Sequence, residues 1–99
     1  MSRHRVTMLQ IAREDMVEIY LYIAADSPKA ALDLAEKVAG KIDTLADFPL
    51  IGKIVPDTEL AKQEYRMLMI DGYIAFYKVV GDKVVVYRVL NAARNYPDL

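Results

Sequence analysis

Six side chains from residue 66 onward in this 99-residue chain could act on a phosphate: Arg66, Arg88, Arg94, Tyr77, Tyr87 and Tyr96. Guanidinium groups grip phosphate oxygens through paired N–H donors and stabilise a pentavalent transition state, while tyrosine stacks on a base or passes a proton. The same set equally suits a protein interface, where arginine and tyrosine are favoured anchors. Other chemistries find less support. The single histidine, His4, has no companion acid or nucleophile, and of the serines Ser2 and Ser27 the second reads as a helix cap, which argues against a serine–histidine–acid triad. With no cysteine, the chain offers no thiolate nucleophile, disulfide frame or zinc–thiolate site. Carboxylates are scattered on helix faces without metal-ligand spacing and read as solvated surface. No metal or cofactor is expected.

The elements that must position these residues follow from spacing and turn chemistry. Between Glu64 and Leu90 the chain reads as three strands, Tyr65–Ile70, Tyr73–Val80 and Lys83–Leu90, separated by Asp71-Gly72 and Gly81-Asp82, dipeptides suited to two-residue hairpin loops. Upstream, Val6–Ile11 reads as a first or edge strand. From Ala12 the apolar period lengthens through Met16, Ile19, Tyr20 and Ile23, with Arg13, Glu14, Asp15 and Glu18 on the other side, an amphipathic helix acidic in its first turn. Ser27-Pro28 punctuates it and starts a second helix, whose buried stripe is Ala31, Leu34, Ala35, Val38, Ile42 and Leu45. Phe48–Asp57 is too apolar for a free linker and predicts an ordered loop across the core, with a helical turn at Thr58–Lys62. The fold class is α+β: a single domain over residues 1–99, ordered β-α-α-β-β-β, with a helical hairpin packed on one face of a mainly antiparallel sheet.

Charge is nearly balanced, 13 basic residues against 14 acidic, so no global field draws the chain to nucleic acid. No apolar run approaches membrane-spanning length, and Met1–Arg5 leads into a strand rather than a secretory core; a cytoplasmic location away from membranes is expected. If both loops hold two residues, Arg66 lies opposite Tyr77 and Arg88 opposite Ala75. One face then carries Arg66, Leu68, Ile70, Tyr73, Ala75, Tyr77, Val79, Val84, Val86, Arg88 and Leu90, and the other Tyr65, Met67, Met69, Ile74, Phe76, Lys78, Lys83, Val85, Tyr87 and Val89. Neither face is clearly polar. A sheet apolar on both sides predicts that another chain buries the face away from the helices, the alternative being two thin cores within one chain.

The run Gly72–Val79, then Val84–Asn95, resembles the carboxyl-terminal signature of the RelE/ParE superfamily of bacterial toxins, known also as plasmid stabilisation proteins. Asp15–Ala24, Ser27–Ala31 and Leu45–Gly52 match in the same order, so the resemblance covers nearly the whole chain. It implies the fold reached above and a role as the toxin of a type II toxin–antitoxin pair, neutralised by a cognate antitoxin that wraps the toxin. On that basis the face bearing Tyr65, Met67, Met69, Ile74, Phe76 and Tyr87 is expected to be open and to meet the antitoxin, whereas burial alone makes it core.

The superfamily serves two mechanisms. RelE-type members cleave messenger RNA on the ribosome without metal; ParE-type members poison DNA gyrase. Laid ungapped on the RelE pattern through Gly72-Tyr73, this chain has Tyr65 and Met67 at the two lysine positions and Ile74 at an arginine position. Only Arg94 matches a basic site residue. Arg88-Val89-Leu90 and Ala92-Ala93-Arg94 resemble the ParE-type ending, with Asn91 and Asn95 in place of a histidine and an aspartate. The resemblance therefore implies growth arrest through gyrase, with Arg88, Arg94 and Tyr96 as target anchors. The alternative is a ribosome-dependent mRNA interferase using Arg66, Arg94 and Tyr96, and a further alternative is a non-toxic scaffold that binds antitoxin and represses a shared operon.

Overall fold

The computed structural model of the protein describes residues 3–93, 96, 97 and 99. Its elements are β1 (Arg5–Met8), α1 (Gln10–Ala24), α2 (Pro28–Asp43), a 3-10 turn at Thr44–Ala46, β2 (Lys53–Ile54), α3 (Thr58–Lys62), β3 (Arg66–Ile70), β4 (Tyr73–Val80) and β5 (Lys83–Asn91). The strands form one five-stranded sheet in the order β1-β5-β4-β3-β2, antiparallel except where β1 runs parallel to β5. The expected α+β layout is present, with β2 as an added edge strand.

Local chemistry sets several of the boundaries. Ser27 Oγ accepts from the Ala30 amide at 3.2 Å and Pro28 opens α2, the arrangement its dipeptide predicts. At Asp71-Gly72 both residues have positive φ (46° and 79°), and at Gly81 φ is 61°, as two-residue hairpin loops require. Asp57 caps α3 by accepting from the Leu60 amide. That helix closes with paired reversals, Tyr65 N–H to the Leu60 carbonyl and Glu64 N–H to the Ala61 carbonyl, which force Glu64 to φ 63°.

The helical hairpin covers Leu68, Ile70, Ala75, Tyr77, Val84, Val86 and Val89 with Ala12, Val38, Ile42 and Leu45. On the reverse face the chain builds a second, smaller core from Val55, Leu60, Tyr65, Met67, Ile74, Phe76 and Leu90, with Tyr87, Ala92 and Leu99 against it. Two thin cores, rather than one core and one bare apolar face, are therefore what the chain makes.

Two readings are corrected. The β4–β5 ladder pairs Tyr77 with Val86 but Phe76 with Arg88, so Tyr87 is an extra residue, a β-bulge. Arg88 consequently faces Phe76, not Ala75. Beyond the bulge the alternation inverts, putting Val89 in the hairpin core and Leu90 in the reverse one. The second correction concerns α1, which starts at Gln10 and so has no acid in its first turn; Asp15, read as solvated, is 7% exposed.

Candidate functional site

Where β1 ends at Met8, β5 continues to Asn91 with α1 beside its open edge. Asp15 projects from α1 into that junction. Its carboxylate accepts from Arg88 Nε at 2.7 Å, from Arg88 Nη2 at 2.8 Å and from the Val89 amide at 3.0 Å. Both carboxylate oxygens serve one guanidinium, and an amide left without a strand partner is satisfied at the same time. The bond to Asp15 also raises the Arg88 pKa above the usual guanidinium value, with burial opposing. The pair floors a cleft of about 470 Å³ between α1 and β5, rimmed by Glu18, Tyr22 and Tyr73.

Arg66 is committed elsewhere. Its Nη1 donates to the carbonyls of Gly52 at 2.7 Å and Leu50 at 3.3 Å. The Tyr77 hydroxyl completes this clamp, donating to the Pro49 carbonyl at 2.8 Å and accepting from the Gly52 amide at 2.9 Å. Burial raises the Tyr77 pKa, against the lowering effects of the Gly52 bond and the Arg66 charge. Gly52 is required by closeness: a Cβ there would lie 2.7 Å from the Met67 carbonyl oxygen and from two Tyr77 ring-side atoms.

On the reverse face Tyr65 meets Tyr87 edge to face at 5.0 Å, Lys78 Nζ lies 4.4 Å over the Tyr65 ring, and Tyr96 meets Phe76 edge to face at 6.3 Å. Burial, reinforced by Tyr87, raises the Tyr65 pKa.

The structure thus separates the residues a ribonuclease would need to converge. Arg66 bonds to the loop on the hairpin side, whereas Tyr96 packs on the reverse side against Phe76; Arg94 lies outside the described residues. Of the target anchors, Arg88 is held by Asp15. The residues expected to meet antitoxin do share the reverse face, but Tyr65, Met67, Ile74 and Phe76 are buried by α3 and the chain's end, Tyr87 is half-buried, and Met69 alone is exposed. Asp15 is the residue sequence reasoning passed over. Its signal was position: three residues after Ala12 and four before Ile19, inside the apolar stripe. Among the described residues no group of acids and histidine is placed to hold a metal ion, and no helix is long and apolar enough to cross a membrane.

Helices packed on a five-stranded, mostly antiparallel sheet are the fold of RelE/ParE toxins. The chain belongs to the ParE toxin family: the family described as "ParE toxin of type II toxin-antitoxin system, parDE" matches residues 6–96. It is 29% identical over 99 residues to "Putative toxin Y4kP" of Sinorhizobium fredii (strain NBRC 101917 / NGR234), covering 100% of this chain and 99% of that one. Among solved structures it is similar to the chromosomal ParDE system of P. aeruginosa, with a TM-score of 0.70, 19% identity and coverage of 90% of this chain and 96% of that one. The RelBE2 toxin–antitoxin complex of Mycobacterium tuberculosis superposes with a TM-score of 0.62 at 23% identity, covering 90% and 98%. Those two likenesses speak to fold.

Proposed function

We propose that this toxin arrests growth by ParE-like inhibition of DNA gyrase and that a cognate antitoxin neutralises it by binding the reverse face of the sheet. The observation that carries the choice of target is the commitment of Arg66, whose Nη1 donates to the Leu50 and Gly52 carbonyls while Tyr96 sits on the opposite face of the sheet. A nuclease needs such groups preorganised around one phosphate. A protein inhibitor needs a rigid surface, which those same bonds supply. The ParDE and RelBE2 neighbours, each solved as a toxin–antitoxin system, support the antitoxin assignment.

The test is induced expression without antitoxin, following DNA replication and messenger RNA integrity in the same cells, with supercoiling by purified gyrase in parallel. Early replication arrest with intact messages and loss of supercoiling is the expected result. Rapid cutting of translated messages with supercoiling intact would overturn it in favour of the interferase, and undisturbed growth would leave a non-toxic scaffold.

A further inference from the structure

The second core closes only part of the reverse face. At the other end, where β1, β5 and the last residues of β4 lie side by side, no described residue belongs to that core, and the charged side chains that these strands put on the reverse face are basic. Val6, Met8, Val84, Val86 and Val79 point into the hairpin core, so alternation puts Arg5, Thr7, Lys83, Val85, Lys78 and Val80 on the reverse face. The ladder aligns them in two rows. Arg5 pairs with Lys83, which pairs with Val80; Thr7 pairs with Val85, which pairs with Lys78. Arg5 and Lys83 are exposed, and among the described residues neither they nor Lys78 enter any ion pair.

Arg5 directly across from Lys83 is a like-charge pair, which destabilises a sheet. In a chain with a net charge of -1, acidic residues to relieve it are not scarce. A local conflict kept in an otherwise consistent fold is expected at functional or strained sites, and exposed cations held side by side are complementary to an anion. The rows stand two residues apart along the strands, roughly 7 Å, which is also the repeat of side chains on one side of an extended peptide. Nucleic acid fits less well, because the stacking surface it would use is taken: Lys78 covers the Tyr65 ring and Tyr65 meets Tyr87.

We infer that the cationic rows of β1, β5 and β4 receive an extended acidic segment of the antitoxin, its alternate carboxylates reaching Arg5, Lys83 and Lys78. The inference rests on the antitoxin reading above for the identity of the partner, and on the sheet register for the chemistry.

Arg5→Glu separates binding from stability. It converts the like pair into an opposite one, so the Tm should rise by about 2–5 °C while anion binding falls. The probe is an octapeptide alternating glutamate with threonine, titrated into the isotopically labelled protein and followed by amide NMR shifts, against its glutamine counterpart and a single-stranded octanucleotide. The glutamate peptide should shift Arg5, Thr7, Lys78 and Lys83 saturably and in a salt-sensitive way, with the glutamine peptide inert. Lys78→Glu/Lys83→Glu and Arg5→Glu should each weaken binding by about tenfold. Equal binding of both peptides, shifts elsewhere, a lower Tm for Arg5→Glu, or tighter binding of the octanucleotide at these amides would overturn the proposal. In the purified toxin–antitoxin complex, Arg5→Glu should speed dissociation about tenfold; unchanged dissociation would overturn the assignment to antitoxin. None of these readouts depends on whether gyrase is the target.

Discussion

Replacing Asp15 with alanine tests the buried ion pair between α1 and β5. The substitution removes three hydrogen bonds at 2.7, 2.8 and 3.0 Å, strands the Val89 amide and leaves Arg88 without its counter-ion. Breaking a buried pair from one side costs about 3–5 kcal/mol. Because the Arg88 side chain keeps 22% of its exposure, water can reach part of the orphaned guanidinium, and the lower end, about 3 kcal/mol, applies. For a domain of this size that corresponds to a Tm lowered by about 12–24 °C. The assay is urea unfolding of wild type, Asp15→Ala, Arg88→Met and the double variant Asp15→Leu/Arg88→Met. Removing both charges together leaves no buried ion, so the double variant should recover at least half of what Asp15→Ala loses. A loss below about 1 kcal/mol for Asp15→Ala, or strictly additive effects, would refute the view that this pair pins α1 to the end of β5.

Gly52→Ala forces a methyl group against a backbone carbonyl and the Tyr77 ring and should destabilise by about 1–3 kcal/mol on chemical unfolding. Tyr77→Phe deprives the Gly52 amide and the Pro49 carbonyl of their partner and should cost about 1–3 kcal/mol by the same measurement. Glu64→Gly relieves a side chain held at φ 63° and should raise the Tm, with a gain of about 1 kcal/mol. Burial raises the pKa of Tyr65 and Tyr77 above the ordinary 10.0, so the folded chain keeps protons that the unfolded chain releases. Stability should accordingly be full below pH 10 and fall as the pH climbs from there through the raised folded-state values, less steeply in Tyr77→Phe, as read from unfolding midpoints across an alkaline series.

How far the residues announced this structure depends on whether the cue was local. Asp71-Gly72, Gly81 and Ser27-Pro28 declare their conformations through their own backbones, and the hairpin loops and the start of α2 fall where those residues put them. The parity of β5 is not local. Counting outward from a two-residue loop is right until Tyr87, where one unpaired residue inverts every later assignment, and nothing in Val-Val-Val-Tyr-Arg-Val-Leu marks the bulge. The pairing of β1 with β5 is equally silent, since a four-residue strand carries no record of its neighbour. The site suffered most from this. Arg66 and Arg88 are recognisable as arginines of interest, but that each is bound internally depends on the Leu50 and Gly52 carbonyls and on Asp15, residues distant in the chain that only the fold brings near.

The parallel pairing of β1 with β5 also bears on how the molecule is made. Arg5 meets Lys83, so β1 leaves the ribosome well before the strand it pairs with. At roughly 5–20 residues per second, that interval is several seconds long. During it the helical hairpin and the β3–β4 hairpin, both local in sequence, can form, but β1 has no ladder to join and the apolar side of Val6 and Met8 no wall to pack on. A nascent fragment ending short of Lys83 has neither the closed sheet nor the paired cationic rows. Docking of β1 onto the sheet thus waits on the synthesis of β5.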